Sequence, residues 1–226
     1  MTIPWRSDGR GMWREEIMHP AAQESRTGRA GSRPPRRHPP GQVAVSLAIT
    51  CIGVLYALYR GYYWLGGTVG MVGTPASQAE WRAVNLAGAV IVLVLALLPL
   101  AALPLWERQR LRPVLLAVCW LLAVGYIMHG LVQDAQRVLS LAGALRIHYP
   151  AFVSVNSRAA DVQDLAFNET WFLAVGFLWA TLAWISLGRS RARRWWAGTA
   201  LAAIAALTAV GMLSAFGVIG RFIGWP

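Results

Sequence analysis

Apolar residues fill five long stretches of this chain, and polar residues collect between them. A helix crossing the hydrocarbon core of a bilayer needs about 20 mostly apolar residues, each advancing it by about 1.5 Å. The stretches cover roughly 43–65, 84–106, 112–133, 170–187 and 196–218. The first holds Arg60 as its one charge, and the second Asn85 as its one strongly polar side chain. The third opens with Pro113 in its first turn, where a missing N–H costs nothing. Backbone groups cannot stay unpaired in lipid, and these runs are too long and too uniform for barrel strands. The pattern therefore predicts an all-α fold: a polytopic membrane helix bundle of five transmembrane helices over 42–226, preceded by a tail, 1–41.

Charge then orients that bundle. Hydrophobic residues make up 56% of the 226 and charged residues 14%, against about a quarter charged in a soluble domain. An ordinary soluble fold is excluded. All 21 basic residues are arginine. Eight lie in the tail; Arg108, Arg110 and Arg112 lie between spans two and three; Arg189, Arg191, Arg193 and Arg194 lie between spans four and five. These three regions alternate along the chain, as regions on one side of a membrane must. The other side receives Arg60, Arg82, Arg137, Arg146, Arg158 and Arg221, mixed with Glu80, Asp134, Asp161, Asp164 and Glu169. The positive-inside rule then predicts a multi-pass protein of the plasma (cytoplasmic) membrane, with the N-terminus inside and the C-terminus outside. Tryptophans fit two interfacial belts, with Trp106, Trp195 and Trp196 at inner span ends and Trp64, Trp81, Trp171 and Trp225 at outer ones.

The connections add detail. Residues 1–41 are rich in Arg, Pro, Gly and Ser without apolar period, which predicts disorder. Their arginines suit anionic lipid at about 1 kcal/mol each. The blander alternatives are a tail that only sets topology, or an over-long start with Met12 or Met18 as the true one. No cleavable signal peptide is expected, because the first apolar run has full span length. The loop 134–169 lies outside, and its apolar face over 138–145 predicts either an interfacial helix or a continuation of span three. Asn168 is expected to cap span four, with Glu169 in its first turn. A small-residue stripe, Gly198, Ala202 and Ala206 with Ala205 and Ala209 beside it, is expected to put span five at the centre of the bundle. Gly220 and Gly224 form a weaker self-association motif, and Pro99 is expected to kink span two.

Ionisable residues inside spans are costly and call for partners. Arg60 has Tyr56 and Trp64 four residues to either side, with Tyr59 and Tyr63 on an adjacent stripe. His129 lies at similar depth in span three, and Asp134 and Glu169 sit at outer span ends. One reading has Arg60 snorkel outward and pair with Glu169 or Asp134, locking helix order. The other has Arg60, Tyr63, Trp64, His129, Asp134 and Glu169 line an outward-opening pocket for an anionic head group or small substrate. His129 alone is better explained as a hydrogen-bonded core histidine, and two in-span histidines to hold a haem do not exist. Cys51 and Cys119 share a depth and act as small apolar fillers. No nucleotide-binding loop, zinc motif or nucleophile–base pair is present. No catalytic residue, cofactor or metal is assigned.

Function is thus expected to be that of a non-enzymatic envelope protein binding lipid or a membrane partner. The alternative is a small carrier or ligand-binding protein using the region of Arg60 and Glu169, which with five helices would require a homo-oligomer. A membrane enzyme with His129 or Asp134 as base ranks third. No nucleic-acid partner is expected.

Two segments carry a resemblance. Tyr62-Tyr63-Trp64-Leu65-Gly66-Gly67-Thr68-Val69-Gly70 and Phe167-Asn168-Glu169-Thr170-Trp171-Phe172-Leu173 resemble a group of small actinobacterial integral membrane proteins of unknown function. Arginine in place of lysine resembles the products of GC-rich genomes. The group has a histidine ahead of the tyrosine–tryptophan–glycine segment, where this chain has Arg60, and often a proline where this chain has Thr170. The resemblance spans roughly 45–220 and implies a membrane location but no activity.

Overall fold

A computed structural model describes residues 39–219. The tail up to residue 38, and with it most of the region expected to be disordered, lies outside the described residues, as do Gly220, Arg221, Gly224 and Trp225. Five helical segments are long and apolar enough to cross a membrane, by length and composition. In chain order the elements are α1 (Pro40–Trp64), β1 (Gly73–Pro75), α2 (Gln78–Ala101), a 3₁₀ segment (Leu103–Glu107), α3 (Arg112–Leu141), β2 (Phe152–Val155), α4 (Ser157–Gln163), a π-helical turn (Asp164–Asn168), α5 (Glu169–Ser186) and α6 (Ser190–Ala215). The all-α membrane-bundle architecture is as the apolar pattern predicts.

The helices pack as two close pairs, α1 on α2 and α3 on α5, joined by α1 against α5. Lipid supplies no hydrophobic drive between helices, so close approach and polar contacts must hold them. Glycine provides the approach. A Cβ on Gly53 of α1 would stand 2.5 Å from Ala96 Cβ of α2. On Gly176 of α5 it would meet Ile127 Cγ1 at 2.7 Å, and on Gly130 of α3 it would meet Leu173 at 2.8 Å. Thr50 adds a hydroxyl hydrogen bond of 2.7 Å to Ala96 O, in the turn that Pro99 loosens by lacking its own N–H. Between α1, α3 and α5 lies a core of Ile49, Tyr56, Cys119, Ala123, Trp171, Val175, Trp179, Leu182 and Ala183. Tyr56 and Trp171 stack at 4.0 Å, and the Trp171 indole N–H donates to Ile52 O at 3.2 Å.

Four expectations need correcting. Span five is peripheral: α6 lies chiefly on α3, and 6% of its apolar stretch is buried against 33% for α1. Its stripe of Gly198, Ala202, Ala205, Ala206 and Ala209 is exposed. Small residues permit close approach without choosing a partner, and here Gly53, Gly130 and Gly176 make the approaches. Asn168 caps nothing, because the helix begins earlier. Asn156 is the cap, its Oδ1 accepting from Ala159 N at 3.1 Å, and the chain runs through the π turn into α5 without a free end. Trp171 is buried, not interfacial. Cys119 is buried and Cys51 exposed, so only Cys119 fills the core. Of the two readings for 138–145, the continuation holds, since α3 extends to Leu141.

One pairing was not legible at all. β1 and β2 join antiparallel across 80 residues of sequence, Gly73 opposite Val155 and Thr74 opposite Ser154, with a bulge before Pro75 opposite Phe152. Strands this short carry no alternation to read. They tie the α1–α2 loop to the loop that follows α3.

Candidate functional site

A cavity of about 440 Å³ opens at the strand-bearing end of the helices. Its floor is the last turns of α1, with Tyr59, Arg60 and Tyr63; Glu80, Trp81 and Val84 of α2 form one wall. Arg137 of α3 and Gln163, Asp164 and Asn168 from the far end of α4 and the π turn form the other. The tied loops close it with Gly70–Val72 and 147–152.

The tyrosine–tryptophan–glycine segment builds the near rim. The Tyr62 hydroxyl accepts the amides of Thr68 and Val69 at 3.0 and 2.8 Å, and the Tyr63 hydroxyl donates to Val69 O at 3.0 Å. These bonds curl the chain back over the end of α1. Gly70 turns there at φ +80°, a conformation that favours glycine. Gly73 must also lack a side chain, since a Cβ would sit 2.3 Å from Ser154 O.

A polar network braces the far wall. The Arg137 guanidinium bonds Asp164 Oδ2 at 2.8 Å and lies 3.5 Å from Asp161 Oδ1. Asp161, 2% exposed, also accepts from Ser140 Oγ at 2.6 Å and from the Tyr149 hydroxyl at 2.7 Å. Arg137 stacks over the Tyr149 ring at 5.4 Å. Burial, then the hydrogen bond to Asp161, pushes the Tyr149 phenol well above its ordinary pKa, so it stays a neutral donor. Asp164 Oδ1 takes the Asn168 amide at 2.6 Å, and Asn168 Oδ1 takes the Tyr56 hydroxyl at 3.1 Å. The one guanidinium on this wall is held by two carboxylates, so the wall presents no unpaired cation.

Arg60 differs. It is half-buried and lies over Gly88, where a Cβ would come within 3.0 Å of its Nε. Among the described residues it makes no hydrogen bond or ion pair, and the cation–π contacts belong instead to Arg137 with Tyr149 and Arg193 with Trp184. The expected aromatic bracket fails because Tyr56 faces Trp171 and Trp64 is exposed. Neither Glu169 nor Asp134 pairs with Arg60.

The six candidates thus fall into two groups. Arg60 and Tyr63 line the cavity; Trp64, His129, Asp134 and Glu169 do not. Glu169 is buried, with Oε2 3.9 Å from His129 Nε2 and no hydrogen bond. The His129 ring packs 4.2 Å from Phe172. Reading 157–168 as loop hid Arg137, Ser140, Tyr149, Asp161 and Asp164. Read as helix, Asp161, Asp164 and Asn168 stand at i, i+3 and i+7 on one face, opposite Arg137 and Ser140 at i and i+3 of α3. Among the described residues no three His, Cys, Asp or Glu side chains gather as a metal set would. Compared with known proteins, the chain significantly matches no family model, no curated protein and no solved structure.

Proposed function

We propose that this chain is a multi-pass protein of the cytoplasmic membrane whose outward-facing cavity binds a small organic anion with an apolar or aromatic body. The observation that carries the reading is Arg60, a half-buried guanidinium that lines the cavity without an acidic partner. A cation held away from bulk water and left unmatched is stabilised by an arriving carboxylate or phosphate. Tyr59, Tyr63, Trp81 and Phe152 offer ring surface for the rest of the ligand, and the volume suits a molecule of drug size. Arg137 is already held by two aspartates, so it shapes the wall while Arg60 recognises the charge.

Thermal unfolding of the detergent-purified protein tests this with benzoate, phenyl phosphate and, as the cationic counterpart, benzylamine. The two anions are expected to stabilise, by about 3 kcal/mol at a hundredfold excess over Kd, and benzylamine is not. Arg60→Ala should remove the shift and leave the unliganded melting temperature near that of the parent, since Arg60 makes no bond to lose. Failure of both anions to stabilise, or equal stabilisation of Arg60→Ala, overturns the reading.

A further inference from the structure

At the opposite, arginine-rich end of the helices, the guanidinium groups have divided roles. Arg112 donates to Ser186 O, and Arg193 donates to Leu187 O at 2.8 Å while lying 5.4 Å from the Trp184 ring. These two close the carbonyl end of α5, where helix oxygens lack partners. Arg191 and Arg194 are exposed and bond to nothing among the described residues. They stand three residues apart on one face of α6 and line a groove of about 620 Å³ with Trp195, Gly198, Thr199 and Ala202. Beyond them the same face continues as Gly198 and then Ala202, each step about 6 Å deeper along the helix. A Cβ on Gly198 would meet nothing within 4 Å. Thr199 is satisfied inside the protein, accepting the Trp120 indole N–H at 3.2 Å. The groove is therefore doubly basic at its mouth and smooth and apolar below.

We propose that this groove holds one anionic phospholipid, its phosphate between Arg191 and Arg194 and an acyl chain along Gly198 and Ala202. The proposal rests on the bundle lying in a bilayer and is independent of the cavity ligand. Charge selects the occupant. A zwitterionic lipid brings its ammonium towards two guanidiniums, and a second copy paired side by side on this face sets Arg191 and Arg194 against their own counterparts. A basic pocket beside a helix end at the membrane surface suits an anionic head group.

Native mass spectrometry of the full chain, released from nanodiscs of equimolar phosphatidylglycerol and phosphatidylcholine, tests it. The parent protein is expected to retain phosphatidylglycerol over phosphatidylcholine by about thirtyfold, as two arginines near a surface would give. R191Q/R194Q should lose that preference, while R110Q/R189Q, which removes the same charge at the same end, keeps it. Gly198→Leu should fold, because a Cβ there meets no protein atom within 4 Å and the position is exposed, and should shed the retained lipid. Equal retention of both lipids by the parent, equal loss in the two double variants, undiminished lipid on Gly198→Leu, or a lipid-free dimer each overturns the proposal.

Discussion

Arg60 and Arg137 stand on the walls of one cavity and have opposite electrostatic circumstances. Arg137 has Asp161 and Asp164 within 3.5 and 2.8 Å, and its surroundings were assembled with the helix. Arg60 has a glycine beside it and open space ahead. Removing one partner from a buried ion pair strands the other, which costs about 3–5 kcal/mol. Asp161→Ala, which deprives Arg137, Ser140 and Tyr149 at once, should therefore lower stability by roughly 3 kcal/mol, measured by chemical unfolding in micelles. Arg60→Ala should cost far less, and a comparable loss in both would refute the distinction. Residue identity was partly legible in the sequence. An in-span arginine is conspicuous, so Arg60 stood out, whereas Asp161 and Asp164 looked like ordinary loop acids until a helical periodicity was laid on them.

At the scale of elements, glycine position decides which helices touch. Gly53 is held against Ala96 so closely that any side chain must push α1 and α2 apart. Gly53→Val is expected to destabilise by about 1–3 kcal/mol, as overpacking does, with Gly198→Ala nearly neutral in the same thermal assay. The reverse order would mean that α6, not the α1–α2 contact, carries the packing. The glycines of both helices are equally visible in the sequence. A small residue marks a face that can be approached, and the approaching neighbour lies far away in the chain, so the stripe on α6 was indistinguishable from a buried one. The cap at Asn156 was missed for a related reason: the π turn conceals the continuity of α4 with α5, and Asn168 followed by Glu169 imitates a helix start.

Across the whole molecule, five helices among the described residues are long and apolar enough to span a membrane, and an odd number of crossings is expected to leave the two ends of the bundle on opposite sides. The positive-inside rule expects the arginine-rich connections inside and the β1–β2 loops outside, and Val153, 76% exposed, offers a reporter of that orientation. In intact cells, a membrane-impermeant maleimide should label Val153→Cys without permeabilisation, while the parent, with Cys51 and Cys119 inside the spans, stays unlabelled. Labelling that requires permeabilisation would invert the orientation. The sequence by itself determined the number of long apolar helices and where their apolar stretches lie, though not the polar extensions of α3 to Leu141 or of the fourth back to Ser157. Lipid penalises every unpaired backbone group and every charge wherever the chain folds, and that penalty is written locally. Which helices pair, that α6 is left on the outside, and that a cavity forms between loops 80 residues apart were decided by tertiary structure alone. Those outcomes depend on how side chains from distant segments fit in three dimensions, and fit leaves no periodic trace along the chain.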